Sequence, residues 1–122
     1  MKSRSLVSIV DDDESVRESL AGLVKAFGFV VCAFSSAEEF LESGRVSQTK
    51  CLILDIAMPG MSGPELQSEL KRRHLEVPII FITAQRDETV RTRMLGRGAV
   101  DCLFKPFSPA ELQEALKTAF RV

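Results

Sequence analysis

The sequence of 122 residues contains no tryptophan, no tyrosine, a single histidine and only three cysteines. Cys32, Cys51 and Cys102 make an odd number without C-x-x-C spacing, which argues against a disulfide framework and against a zinc site. All three lie in apolar surroundings, so we expect small buried side chains there. The histidine, His74, is expected at the surface rather than in a catalytic role. Without a histidine or cysteine cluster, a site for a soft metal is disfavoured.

Neither sign of charge dominates, because 16 basic and 17 acidic residues give a formal net charge of -1. A balanced chain has no overall attraction for nucleic acid, so we expect no direct nucleic-acid contact. Long hydrophobic runs are also lacking, and the first apolar run, Leu6–Val10, is too short for a signal peptide or a membrane span. We therefore expect a cytoplasmic protein with no membrane contact, folded as one domain over residues 1–122.

Short apolar runs alternate with helix-like segments along the chain. The runs suit strands that are buried on both faces, as in a parallel sheet. They are Leu6–Val10, Phe29–Phe34, Cys51–Leu54, Ile79–Ile82 and Val100–Phe104. The other segments carry capping residues and helical apolar spacing. They are Val16–Phe27, Ser36–Gly44 (with a capping-box pattern at Ser36 and Glu39), Gly63–His74, Asp87–Arg97 and the segment that starts at Ser108. Five strands alternating with five helices predict an α/β fold, a doubly wound five-stranded parallel sheet with helices on both faces.

Acidic residues follow two of the predicted strands. The first strand ends in four consecutive acids, Asp11–Glu14, and the third ends in Asp55, directly after apolar residues. In open sheets of this kind, ligands bind where the carboxyl ends of the strands converge. Carboxylates crowded at one strand end repel one another unless a cation is present. Asp11, Asp12 and Asp55 would therefore suit a hard divalent cation such as Mg²⁺.

The fourth and fifth predicted strands end in Thr83 and Lys105, a hydroxyl and a cation of the kind that binds phosphate. Each residue also has an ordinary explanation. Asp13 or Ser15 could simply cap the first helix, and a threonine or lysine at a strand end is usually solvated. The joint occurrence of acids, an aspartate, a threonine and a lysine at four strand ends favours a functional site.

Four sequence blocks in this order resemble the receiver domain of bacterial response regulators, and the resemblance covers essentially the whole chain. The blocks are Ile9–Asp13, Leu54–Gly63, Ile82–Ala84 and Lys105–Phe107. Three further stretches are most similar to the FixJ-like group of receivers, whose members often carry a C-terminal helix-turn-helix. These stretches are Gly28–Phe29, Ser36–Leu41 and Gly98–Asp101.

The resemblance implies a two-component signalling switch with the flavodoxin-like strand order 2-1-3-4-5. Asp55 would be the phosphoacceptor, which attacks a phosphohistidine on a sensor histidine kinase. Asp12, Asp55 and the backbone carbonyl of Ala57 would hold Mg²⁺, with Asp11 acting mainly through a metal-bound water. The domain would catalyse its own phosphorylation and dephosphorylation without being an enzyme in the ordinary sense. It would regulate transcription through a downstream domain absent from these 122 residues.

The same resemblance assigns the switch. Lys105 would pair with a phosphoryl oxygen, and its peptide bond to Pro106 would be cis. Thr83 would move toward the phosphoryl group and alter the face built from the fourth helix, fifth strand and fifth helix, through which a homodimer could form. Receivers commonly have tyrosine or phenylalanine three residues before this lysine, where the chain has Cys102. Because a thiol cannot fill the volume of an aromatic ring, we expect phosphorylation to survive but the switch to be weaker, or to pass through the strand-four loop alone.

Two other interpretations stay open. Asp11–Asp13 contains the Asp-x-Asp pattern of phosphatases with an aspartyl nucleophile, although the chain has no cap segment. A pure interaction module that keeps the fold but takes no phosphate is the second alternative, and Cys102 keeps it open. Arg91, Arg93 and Arg97 could dock an acidic partner, but we favour simple solvation, since charged side chains are mostly exposed.

Overall fold

The computed structural model describes residues 5–121, which form five strands and five helices in strict alternation. The strands are β1 (Leu6–Val10), β2 (Val30–Phe34), β3 (Thr49–Asp55), β4 (Ile79–Thr83) and β5 (Asp101–Phe104). The helices are α1 (Glu14–Ala26), α2 (Ala37–Glu42), α3 (Gly63–Arg72), α4 (Glu88–Gly96) and α5 (Pro109–Ala119). One turn of 3₁₀ helix that was not predicted, Val46–Gln48, precedes β3. Among residues 5–121, no helix is long and apolar enough to cross a membrane.

All five strands are parallel and lie in the order β2-β1-β3-β4-β5. This order confirms the doubly wound, flavodoxin-like sheet. Side chains alternate across the sheet, so Ile53 of β3 packs with α1 and α5, while its neighbour Leu54 packs with α2, α3 and α4. Because both faces are covered, the central strands β1 and β4 are buried along their whole length.

Strand β2 differs from the prediction of a strand buried on both faces. It pairs only with β1 and forms one edge of the sheet. Val30 is consequently 45% exposed, and Cys32 is half-buried, whereas Cys51 and Cys102 are fully buried. An apolar run therefore does not distinguish an edge strand from a central one, because both bury one face against helices.

Helix starts follow the capping residues closely. Asp13 caps α1, and its carboxylate accepts the backbone N–H of Val16 at 3.1 Å. Ser108 and Glu111 form the predicted capping box of α5. The predicted box of α2 is wrong in one half: Ser36 accepts the N–H of Glu39 at 3.0 Å, but Glu39 accepts instead from the N–H of Ser35 at 2.6 Å. The hydroxyl of Ser35 also donates to the same carboxylate oxygen of Glu39, at 3.3 Å.

Gly63 lets α3 begin directly beneath the end of β3. Its N–H donates to the carbonyl of Ile56 at 2.9 Å. A Cβ atom at this position would overlap the backbone carbonyl oxygen of Asp55. Only glycine fits here, so the residue that begins α3 also determines how tightly the loop after Asp55 can close.

Candidate functional site

Three carboxylates meet at the carboxyl-terminal edge of the sheet. Asp11 follows β1, Asp12 comes next, and Asp55 is the last residue of the neighbouring β3. One carboxylate oxygen from each lies within 4.8 Å of the other two. Asp11 and Asp55 are buried, while Asp12 is exposed. The structure thus brings together the three acids that the sequence analysis selected.

Lys105 brings a cation into this acidic group. It follows β5, and its Nζ lies 3.0 Å from Oδ2 of Asp11 and 3.6 Å from Oδ2 of Asp55. Its backbone N–H donates to the carbonyl of Thr83 at 2.7 Å, which ties the ends of β4 and β5 together. The peptide bond between Lys105 and Pro106 is cis, as the resemblance implied. The ammonium therefore neutralises part of the negative charge, and two strand ends hold it in position.

The surroundings of Asp55 favour its neutral form. Together they raise the pKa of its carboxyl from 3.8 to about 7, and the largest cause is burial, followed by the negative charge of Asp11. The ammonium of Lys105 acts in the opposite direction, and Asp12 raises the pKa further. Asp55 is therefore held under electrostatic stress that an additional positive charge would relieve.

Thr83 ends β4 beside Asp55, since the register pairs Asp55 with Ile82. Its side chain is buried, and its Oγ1 accepts the backbone N–H of Gln85 at 3.0 Å. This contact uses a lone pair of the hydroxyl and leaves its proton available for donation. The β4–α4 loop and the hydroxyl are thus mechanically connected.

The oxygen atoms present fit a hard divalent cation. Oδ1 of Asp11 accepts the N–H of Asp13 at 2.9 Å, but Oδ2 is buried and accepts no hydrogen bond from the residues that the structure describes. The ammonium of Lys105 is near this oxygen but is not aligned to donate to it. A buried carboxylate oxygen without a hydrogen bond is available to bind a cation. Together with the carboxylates of Asp12 and Asp55 it forms the kind of oxygen donor set that Mg²⁺ prefers.

Several residues selected from the sequence lie outside this site. Cys102 is fully buried in the core on the α4 side of the sheet, together with Val90 and Met94. His74 is exposed, as expected. The prediction that Arg97 is simply solvated is wrong. Its guanidinium donates to the side chain of Gln67 at 2.8 Å and to the backbone carbonyl of Pro64 at 2.9 Å, so it joins the end of α4 to α3.

The two arginines within α4, Arg91 and Arg93, differ in their contacts and exposure. Arg91 forms an ion pair with Asp101 at 3.3 Å, and its side chain is 39% exposed. Arg93 is exposed, as expected.

Two residues that contact the site were missed by the sequence analysis. Arg17 of α1 donates from Nη1 to the backbone carbonyl of Asp11 at 2.8 Å. Glu38 of α2 accepts the N–H of Met61 at 3.0 Å and so holds the loop that follows Asp55. Both are charged residues on helices that would ordinarily be solvated, and no motif distinguishes them in the sequence.

A groove of about 470 Å³ runs beside the site, between α1 and the segment after β5. Most of its walls are apolar, and Lys105 is one of the lining residues. The groove is lined by Val16, Leu20, Leu23, Pro106 and Phe107 among others. It gives the acidic site an adjoining surface on which another macromolecule could rest.

Comparison with known proteins shows a strong family similarity. Residues 7–117 match the family model described as the response regulator receiver domain. Nodulation protein W of Bradyrhizobium diazoefficiens is 44% identical over 117 residues, which cover 96% of this chain and 52% of that protein. Response regulator protein TodT of Pseudomonas putida is 42% identical over 118 residues, covering 97% of this chain and 52% of that protein. The chain thus spans about half the length of these curated relatives.

A solved structure agrees with these sequence matches. The crystal structure of FixJ-N superposes with a TM-score of 0.84 at 37% identity, covering 98% of this chain and 94% of that one.

The raised pKa of Asp55 predicts a pH-dependent cost to stability in metal-free solution. Between pH 4 and 7 the unfolded chain loses this proton while the folded chain keeps it, so the free energy of unfolding falls as pH rises. Above pH 7 both states are ionised and the cost is constant. Asp55→Asn removes it, so we expect this variant to be more stable than the wild type at pH 8 by roughly 1–2 kcal/mol, allowing for water that screens the pocket.

Urea denaturation in EDTA at pH 5 and pH 8 measures this difference. Glu42→Gln is the control, because Glu42 is exposed on α2. Equal stability of Asp55→Asn and wild type at pH 8 would contradict the electrostatic stress described here.

Proposed function

Because the chain belongs to the response regulator receiver domain family, a family of signalling switches in two-component systems, we propose that Asp55 accepts a phosphoryl group from a sensor histidine kinase with Mg²⁺ as cofactor. We further propose that this phosphorylation acts on the surface formed by α4, β5 and α5 through the loop between β4 and α4. The relatives include transcriptional regulators such as FixJ, of whose length this chain covers 54% in Azorhizobium caulinodans. Control of transcription through a further domain is accordingly part of the proposal.

One observation supports this function above the others. A carboxylate at the end of β3 lies in a pocket with two other carboxylates, an ammonium and a strand-end hydroxyl. A phosphatase with an Asp-x-Asp nucleophile would use the residues after β1. Here Asp11 is completely buried and its Oδ1 accepts the N–H of Asp13, while the carboxylate of Asp13 caps α1, so this arrangement does not favour attack by either residue. Asp55 ends the strand next to β4, which ends in Thr83, and its carboxylate lies 3.6 Å from the ammonium of Lys105.

The residues can carry out the transfer as follows. The ionised carboxylate of Asp55 attacks phosphorus, so that a new bond from its oxygen to phosphorus forms while the bond to the imidazole nitrogen of the donor breaks. The imidazole leaves with the electron pair of that bond. The ammonium of Lys105, 3.6 Å from Oδ2 of Asp55, stabilises the negative charge of the phosphoryl oxygens. The hydroxyl of Thr83 donates a hydrogen bond to one of these oxygens.

Asp12, Asp55 and the backbone carbonyl of Ala57 would hold Mg²⁺, with Asp11 acting through a water. When bound, the ion neutralises repulsion between the carboxylate and the incoming phosphoryl group. It would also favour the ionised form of Asp55, which is the form that can attack.

The groove beside Lys105 supports the partner assignment. We propose that the kinase segment carrying phosphohistidine rests against α1 and the segment after β5, with apolar contacts to Val16, Leu23 and Phe107, which are partly exposed. This surface leaves the α4–β5–α5 face open for an output contact, for which a homodimer is the proposed arrangement. Kinase and output surfaces would then lie on opposite sides of Lys105.

Acetyl phosphate with Mg²⁺ and intact-protein mass spectrometry test the proposal. The wild type is expected to gain the mass of one phosphoryl group, since acetyl phosphate supplies a mixed anhydride with a good leaving group. Asp55→Asn is expected to gain none, whereas Glu42→Gln, an exposed control, behaves like the wild type. EDTA should prevent the gain. Phosphate addition that persists in Asp55→Asn would remove Asp55 from its role, and no addition to the wild type would favour an interaction module.

The place of Cys102 predicts a restrained switch. The side chain is buried in the same core cluster as Val90 and Met94. It has no aromatic ring that could swing inward as Thr83 moves. Asp101 also ties β5 to α4 through Arg91. We therefore expect beryllofluoride, a phosphoryl mimic, to shift the backbone amide NMR signals of residues 83–87 while those of α4 change little. Shifts spread along the whole of α4 would contradict this, and Asp55→Asn serves as the control without a response.

A further inference from the structure

The backbone carbonyl of Asp11 is bound by a side chain from α1. Arg17 lies six residues further along, half-buried, and its Nη1 donates to that carbonyl oxygen at 2.8 Å. The bond carries a full positive charge on the donor, and charge-assisted hydrogen bonds are roughly twice as strong as neutral ones. Arg17 therefore holds the chain at the point where β1 passes into the acidic loop.

The N–H and the carboxylate of Asp11 face other parts of the site. Its N–H donates to the carbonyl of Phe34 in β2 at 3.2 Å. Its Oδ1 accepts the N–H of Asp13 at 2.9 Å, and its Oδ2 lies 3.0 Å from the ammonium of Lys105. Asp11 is completely buried. Arg17 thus binds the backbone carbonyl of Asp11, whereas β2 binds the N–H of that residue and Lys105 pairs with its carboxylate.

The carbonyl that Arg17 binds determines the direction of the next residue. The carbonyl of Asp11 and the N–H of Asp12 belong to one planar peptide group. Fixing that carbonyl fixes the plane and therefore the direction from which the side chain of Asp12 starts. Asp12 is the exposed member of the acidic group, and its carboxylate lies within 4.8 Å of Asp11 and Asp55. Without the arginine, repulsion from two buried carboxylates would favour rotation of Asp12 into solvent.

We propose that Arg17 is a positioning residue for the cation site, holding the Asp11–Asp12 peptide in the orientation that lets Asp12 bind the metal. This inference rests on the proposed function. Arginine suits the task because its guanidinium stays charged and its planar fork is pre-organised, so less freedom is lost when it binds a carbonyl. Its positive charge also reduces the repulsion among the carboxylates.

Calorimetric titration of the phosphate-free protein with MgCl₂ tests the proposal directly, and is convenient because the chain has no tryptophan to report binding. Arg17→Met keeps the apolar stem but removes charge and donor, and we expect its Kd for Mg²⁺ to rise about tenfold. Arg17→Lys restores a charged donor and should recover much of the affinity. Lys25→Met removes an exposed positive charge from the last turn of the same helix and should leave the Kd unchanged.

The rate of phosphorylation by acetyl phosphate gives a second readout. For Arg17→Met we expect a slow rate at low Mg²⁺ that approaches the wild-type rate when Mg²⁺ is saturating, because the residue positions a ligand rather than touching the phosphoryl group. A residue with only a structural role would lower the urea midpoint and leave the Mg²⁺ dependence unaltered. If Arg17→Met does not fold, Arg17→Gln replaces it with the same expectations, since its amide ends well short of the Asp11 carbonyl.

The outcomes separate this inference from the proposed function. A wild type that neither binds Mg²⁺ nor accepts phosphate overturns the proposed function and the inference together. A wild type that does both, beside an Arg17 variant with unchanged Kd, overturns the inference alone. The inference is supported if the Arg17 variant has a raised Kd for Mg²⁺ and saturating Mg²⁺ restores its phosphorylation rate.

Discussion

Three carboxylates crowded into one corner at the edge of the sheet, two of them buried, are the constraint on which the structure depends. Burial and the charge of Asp11 raise the pKa of Asp55, while Lys105 lies 3.6 Å away and opposes the rise. The result is a carboxyl near the midpoint of its titration at neutral pH. A carboxyl in this state responds strongly to any cation or phosphoryl group that enters. The same stress that makes the corner costly for stability therefore makes it useful as a receiving site.

The fold keeps the corner closed against this repulsion. Parallel strands place the ends of β1, β3, β4 and β5 at one edge, and the register sets Asp55 beside Ile82 and Thr83 beside Phe104. Gly63 allows α3 to start against the carbonyl of Asp55. Arg17 and Glu38 hold the two loops that carry the acids. The apolar core thus supports the position of each charge, and the helices add polar contacts to the loop backbones.

Much of this arrangement is predictable from the sequence because it rests on periodicity and strand order. Apolar runs and capping residues identify every strand and helix within a few residues, and parallel strands must bring Asp11, Asp55, Thr83 and Lys105 to one edge. Periodicity could not show that β2 is an exposed edge strand, since an edge strand also buries one face. The contacts of Arg17, Glu38 and Arg97 depend on the angle between packed elements, which local spacing does not contain. For that reason the sequence predicts a solvated Arg97, whereas the structure shows it half-buried.

The most direct test of the central claim is the titration of the Asp55 carboxyl itself. Carbon-13 NMR of aspartate-labelled protein, with the signal assigned by its loss in Asp55→Asn, gives the pKa with and without Mg²⁺. We expect a pKa of about 7 in metal-free solution. Saturating Mg²⁺ should lower that pKa, since a bound cation favours the carboxylate. A metal-free pKa near the ordinary value of 3.8, or a raised pKa that Mg²⁺ leaves unchanged, would contradict it.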